Sequence, residues 1–210
     1  MTKFDDHSDS VISVQWLNDL SVVSGILDHR VIMWNANSGK KVRTLNGHSR
    51  GVVSLCLMSD QNTLVSTGID QSLRVWDLET GKMARSMSIH TMRVHDVAVR
   101  PGVTGLPMVA SASDDRTVRL WQPTIGRMIR FVNLPSKPPD VEWLIDGSMI
   151  VVACADGHVR LIHPEKVEVT QDIPALDGWA YSIAVHPTDG RIVVGGVAAG
   201  LRQIRIQADQ

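Results

Sequence analysis

The chain has 210 residues, a net charge of −1, two cysteines and 43% hydrophobic residues, enough for one globular domain with a sizeable core and too balanced in charge for a dedicated nucleic-acid binder. No apolar run reaches the ~20 residues that a membrane span needs, and the polar, acidic MTKFDDHSDS lacks the apolar stretch of a signal peptide, which favours a cytoplasmic over a secreted chain. Cys56 and Cys154 stand alone in apolar surroundings (LCL and VVACA), the pattern of buried thiols and not of a disulfide framework or a zinc site.

Abundant valine, 16 glycines, 9 prolines and no long runs of Ala, Glu, Lys and Leu point to strands. In chain order, RVIMWN (30–35), SLRVWD (72–77), TVRLWQ (117–122) and HVRLIH (158–163) share one pattern. An aspartate, namely Asp28, Asp70, Asp115 or Asp156, lies six residues before each Trp or its substitute. The aspartates are 42, 45 and 41 residues apart, the period of a four-stranded repeat unit. The second period reads as VVSLCL (52–57), NTLVST (62–67), SLRVWD (72–77) and KMARSM (82–87), separated by the turn-forming SDQ, GID and ETG. In the third, RPGVTGLP (100–107) lengthens the first turn. The fourth opens on LPSKPPD (134–140), whose prolines suit a strand edge.

These residues carry a resemblance to the WD-repeat β-propeller family, whose repeat has Gly-His near its start and Trp-Asp near its end. Gly47-His48 and Trp76-Asp77 match both, and the likeness runs from about His7 to the C-terminus. It implies an all-β fold, a propeller of four-stranded antiparallel blades in five repeats, at about 7–47, 48–89, 90–134, 135–176 and 177–210, the last lacking its outer strand. The expected whole is a single propeller over 1–210. A His, a Ser, an Asp and a Trp form a hydrogen-bonded tetrad in such blades. By position these are His7, Ser24, Asp28 and Trp34; His48, Ser66, Asp70 and Trp76; and His90, Ser111, Asp115 and Trp121. The fourth repeat keeps Asp156 but has Val152 and Ile162 for Ser and Trp, and the fifth, ending in GLRQIRI, has neither Asp nor Trp, so both are expected to hold by apolar packing alone. At the N-terminus Phe4 aligns with Leu45, which predicts that the chain opens inside what should be a fourth strand and is here at most a stub. Seven blades, the usual number in the family, need about 294 residues at this period, which suggests part of a larger propeller, with a closed five-bladed ring or association through unpaired blade edges as the alternatives.

Ser, His and Asp together invite a catalytic reading, but three copies of one constellation argue for a fold-stabilising network. His158 and His163, five apart on a strand, face opposite ways and cannot share a metal. GGVAAG (195–200) is followed by no lysine or helix, as a phosphate loop would require. Arg74, Arg119 and Arg160, at one strand position, read as blade-edge pairing. The resemblance therefore implies a non-catalytic protein-interaction scaffold without cofactor or metal, binding other proteins or peptides, with a small-ligand or enzymatic propeller using its central channel as the alternative. In such folds the loop before each first strand and the turn bearing the tetrad Asp share one face. Ser10, Gly51, Arg93, Lys137 and Trp179 hold the loop position, flanked by Arg50, and Asp114 lies in an Asp turn. Arg50, Arg93, Asp114, Lys137 and Trp179 are the expected partner-binding residues.

Overall fold

The structure is a computed structural model that describes residues 2–102, 105–197 and 200–206. The described residues form nineteen strands and no helix. In chain order they are β1 (Val11–Asn18), β2 (Ser21–Ile26), β3 (Arg30–Asn35), β4 (Lys41–Asn46), β5 (Val52–Leu57), β6 (Thr63–Gly68), β7 (Leu73–Asp77), β8 (Lys82–Met87), β9 (Val94–Val99) and β10 (Val109–Ser113). There follow β11 (Thr117–Gln122), β12 (Arg127–Asn133), β13 (Asp140–Trp143), β14 (Ile150–Ala153), β15 (His158–His163), β16 (Glu168–Pro174), β17 (Ala180–Val185), β18 (Ile192–Gly196) and β19 (Leu201–Ile204). Consecutive strands pair into four sheets of four and a last sheet of three, each in simple up-and-down order. These are the blades of an all-β propeller, and among the described residues the fifth lacks the outer strand, as the sequence pattern predicts.

The reason lies in the alternation within each period. On β6, Leu64 pairs with Trp76 and Ser66 with Arg74, while Val65 and Thr67 face the other way. Both faces of the sheet are apolar, so each blade needs a neighbour on either side. The first blade lays Leu17, Val23, Val31 and Leu45 into one cluster with Val52, Leu55, Leu64 and Trp76 of the second. Ala110, Ala112 and Val118 of the third pack with Val141, Trp143 and Ile150 of the fourth, and Val151, Ala153 and Val159 of the fourth with Ala180, Ile183 and Ile192 of the fifth. Arg100, at the start of the third blade's long insertion, strengthens the second of these joints. It lies over the Trp143 ring at 5.2 Å, donates to Gly147 O and pairs with Glu165, while the Trp143 indole donates to Ala98 O. The insertion is closed by the Arg100 amide on Met108 O, with Val103 and Thr104 outside the described residues.

By contact density the chain forms two compact units. One runs to Val97 with Pro123–Arg127, and the other comprises Ala98–Gln122 with the rest from Met128. The expected fourth strand at the N-terminus is not formed, since residues 2–10 carry no strand. Phe4 nonetheless stacks edge-on against Trp34 at 5.6 Å, while the segment is pinned by Lys41 on Asp6 and by Arg30 on Asp6 O. Held by ion pairs, side-chain hydrogen bonds and the contacts of the Phe4 and His7 rings with Trp34, the segment offers no paired ladder.

Candidate functional site

Every blade with a turn aspartate builds the turn in the same way. The residue after the Asp has positive φ in all four, at His29, Gln71, Arg116 and Gly157, and its amide reaches back to the residue three before. A side chain is tolerated there in the first three blades. In the fourth, the carbonyls of Leu176 and Gly178 approach so closely that Gly157 has no room for a Cβ.

The second blade completes the predicted tetrad. The Trp76 indole donates to Ser66 Oγ at 2.8 Å, so the Ser66 hydroxyl donates onward to His48 Nε2 at 2.7 Å, and His48 Nδ1–H donates to Asp70 at 3.0 Å. Asp70 also accepts from the Ser49 amide, the Ser72 hydroxyl and Arg74. Burial alone would raise its carboxyl, but the hydrogen bonds from His48, Ser72 and Ser49 outweigh it and hold the group well below the usual carboxylate range. The order Ser to His to Asp is that of a hydrolase triad. Here, however, Ser66 is fully buried beneath Trp76 and its oxygen already accepts the indole, so the network fixes the blade.

In the third blade Trp121 donates to Ser111 at 2.8 Å, Asp115 accepts from Thr117 and Arg119, and His90 is buried. The first blade departs from the expectation. Trp34 donates to Ser24 and His7 Nε2 meets Ser24 at 2.8 Å, but His7 Nδ1 is buried without a partner and does not reach Asp28. The cause is Arg30, which stands where Ser72 and Thr117 stand in the next blades. Its guanidinium takes Asp28, and Ser8 adds a hydroxyl. Burial opposes ionisation of Asp28, yet the Arg30 and Ser8 bonds bring its carboxyl down to about 2.

Two further expectations are corrected. Arg74, Arg119 and Arg160 mainly serve the turn, since each reaches the aspartate four residues before it, at 3.4, 3.4 and 2.7 Å, and of the three only Arg160 also forms an ion pair on the blade's outer strand among the described residues, with Asp172. Nor does apolar packing alone hold the fourth blade. Arg160, only 3% exposed, makes two bonds to Asp156 and pairs through Nε with Asp172, which also accepts from His158 at 2.6 Å. With Val152 and Ile162 removing the hydroxyl and the indole, the guanidinium replaces the imidazole as the donor to the turn aspartate. The sequence signal for it was the spacing Asp-x-x-x-Arg, present at 70–74, 115–119 and 156–160. Both cysteines are buried as expected, and burial pushes the Cys154 thiol up to about 11. Among the described residues no group of three or more His, Cys, Asp and Glu is placed to hold a metal ion. GGVAAG ends β18 with Gly195 and Gly196, while Ala198 and Ala199 lie outside the described residues.

The loop position before each first strand recurs with one backbone bond. The amide preceding the turn aspartate donates to it, as Leu27 to Ser10 O, Ile69 to Gly51 O and Ala155 to Lys137 O, and in the fifth blade Val197 donates to Trp179 O. Of the predicted partner-binding residues, Arg50, Lys137 and Trp179 are exposed and Arg93 and Asp114 half-buried. Lys137 and Asp114 come together as an ion pair at 3.2 Å. Trp179 is 54% exposed and meets Tyr181 edge-on at 6.0 Å. Tyr181 was missed by sequence reasoning, because it lies at an irregularity between Ala180 and Ser182, where the alternation of faces along β17 is interrupted.

The WD40 model, described as WD domain, G-beta repeat, matches residues 39–77 and 85–122, the segments that contain the whole of the second and third tetrads. These two stretches are WD40 repeats. Its five blades superpose on the WD40 β-propeller domain of Doa1 with a TM-score of 0.79 at 23% identity, covering 95% of this chain and 65% of that one. Among curated proteins, it is 24% identical to protein ROOT INITIATION DEFECTIVE 3 of Arabidopsis thaliana over 86% of this chain and 44% of that protein. It is also 25% identical to autophagy-related protein 16 of Arabidopsis thaliana (85% and 35%), and 28% to eukaryotic translation initiation factor 3 subunit I of Neurospora crassa (72% and 43%). The chain thus spans less than half the length of these relatives.

Proposed function

We propose that this chain is a non-catalytic protein-interaction scaffold, whose binding surface is built from the loop position before each first strand and the neighbouring Asp turn, and whose partners are proteins or peptides. One observation carries the reading. The backbone bond onto Ser10, Gly51, Lys137 and Trp179 repeats while the side chain changes from hydroxymethyl to none, to cation, to indole. A fixed skeleton that displays varied, mostly exposed chemistry at one register position is what recognition of another surface needs. Within the first unit the proposed contributors are Arg50 and Arg93, and within the second Asp114, Lys137 and Trp179. Trp179 is the strongest of them, because an exposed indole already braced by Tyr181 offers large contact area at low entropic cost. Support also comes from the relatives, one of which is by name a subunit of an initiation factor.

The test is capture of a partner on the immobilised chain, followed by Arg93→Ala, Lys137→Ala and Trp179→Ala. Weakened capture by Trp179→Ala and at least one of the charge variants, with unchanged melting, is the expected result. Undiminished capture by all three overturns this surface.

A further inference from the structure

Three joints between consecutive blades are filled in the same way within this chain. The side of a blade carrying Val23, Gly25 and Val31 receives Val52, Leu55 and Leu64 of the blade that follows, and Val151, Ala153 and Val159 receive Ala180, Ile183 and Ile192. The small residue at the centre is a nest. A Cβ built on Gly25 would lie 2.8 Å from Val52 Cγ1 and 3.3 Å from Leu55 Cγ. Both halves of this joint also occur open. On the first blade Val11, Val14 and Val22 hold the register of Val52, Leu55 and Leu64, as their pairing with Ile26, Ser24 and Trp34 shows. Val14 is 67% exposed there, and Phe4, Val11, Val14, Trp16, Val22 and Trp34 line an apolar groove of about 430 Å³. On the fifth blade Val193, Gly195 and Leu201 hold the register of Val23, Gly25 and Val31, with Val193↔Gln203 and Gly195↔Leu201 matching Val23↔Met33 and Gly25↔Val31. Leu201 is 72% exposed, and among the described residues a Cβ on Gly195 would meet only Leu201, at 3.9 Å.

We infer that the chain associates head to tail with a second copy of itself, the first blade of one copy seating Val11 and Val14 over Gly195, between Val193 and Leu201, on the fifth blade of the other. A second copy is the favoured occupant because it carries the matching half of the joint, residue for residue. The chemistry matches too: branched aliphatic side chains meet a glycine nest, with no unpaired charge at the centre. Six-residue strands at ~3.3 Å per residue and three or four of them ~4.8 Å apart give each face on the order of 300 to 400 Å². That is the size of weak contacts, so association is expected at tens to hundreds of micromolar. The joint is heterologous, using different patches on the two copies, which sets it apart from a two-fold dimer.

Sedimentation velocity of the chain from about 1 to 300 micromolar tests it. The wild type is expected to grow beyond a dimer, while Val14→Asp and Leu201→Asp, each at an open position, stay monomeric through a loss of affinity of about tenfold or more, with melting unchanged. The deciding experiment mixes the two variants. Val14→Asp keeps its fifth blade and Leu201→Asp its first, so the mixture is expected to form a dimer that grows no further. A wild type that stays monomeric throughout, a Leu201→Asp variant that associates like the wild type, or a mixture that stays monomeric overturns the inference. Val14→Ser, which removes the apolar contact without adding a charge, gives the same reading should the carboxylate disturb the fold.

Discussion

The second and fourth blades share strand order, turn and register, yet hold their turn aspartates with different chemistry. In the second, Asp70 ends a relay of Trp76, Ser66 and His48, whereas in the fourth Asp156 is gripped by a buried guanidinium that also holds Asp172. The constant element is therefore the aspartate, which organises the turn by accepting from the backbone two residues on, at Arg30, Ser72, Thr117 and His158 alike. What neutralises it is interchangeable, provided that the donor is charged or well aligned. Arginine is the common part, reaching the Asp from four residues on in the second, third and fourth blades and from two residues on in the first.

That comparison can be broken most directly by removing the hub. Asp70→Ala strands the His48 imidazole, the Ser72 hydroxyl and the Ser49 amide, at a cost of about 3 kcal/mol. Asp156→Ala is expected to cost less, about 1 kcal/mol, because Arg160 keeps Asp172. Equal losses in denaturant melts would show that the two networks are not organised as described. Arg160→Met separates the donor from the hub. It preserves the packing of the stem but leaves Asp156 and Asp172 facing each other without a cation, and partial exposure of both limits the loss to about 2 kcal/mol. No loss would mean that the fourth blade is held by its apolar faces after all.

Acid provides a third probe, with a fixed sign. An ordinary aspartate titrates near 3.9, and Asp70 and Asp28 lie below that value in the folded chain, Asp28 at about 2. Carboxyls depressed by folding contribute stability that is fully present above the unfolded value and lost as pH falls through the folded one. Melting temperature should therefore drop between about pH 4 and pH 2, and Asp70→Asn should flatten part of that drop. A slope identical to the wild type would remove Asp70 from the acid response.

Much of this was open to sequence reading because the repeat is written in short-range code. The strands β3, β5, β8, β11 and β15 carry the bounds that alternation and turn residues predict, and the Asp-to-Trp interval of six fixes the hairpin that brings Ser66 under Trp76. What escaped was substitution between unlike groups. Val152 and Ile162 read as the loss of a network, when Arg160 had taken over the role from the far side of the turn. In the first blade, Arg30 stands in place of a Ser or Thr, captures Asp28 and leaves His7 out of the relay. Such exchanges depend on reach, since a guanidinium on a three-carbon stem spans a gap that a hydroxyl cannot. Nor does strand pattern show that the N-terminal segment is held by Asp6 and Phe4 without a ladder.

His7 gives the smallest effect and the finest test of that last difference. In the second blade His48 is fixed at both nitrogens, so it loses two bonds when truncated. His7 is fixed only through Nε2 on Ser24, with its ring edge-on to Trp34 at 4.8 Å, and burial lowers its affinity for a proton. A proton on Nδ1 would place a charged N–H where the structure provides no acceptor. For an imidazole depressed in this way, the unfolded chain binds the proton more readily, so stability is complete above the unfolded value near 6.5 and declines as pH falls toward the folded one. Partial exposure screens the effect to less than about 1 kcal/mol. Melting between pH 7 and pH 5 should show this small decline in the wild type, and His7→Ala should abolish it while costing less at pH 7 than His48→Ala. If instead His7→Ala is as damaging as His48→Ala, or the decline persists without His7, then the first blade closes its relay onto Asp28 in solution and Arg30 is not its substitute.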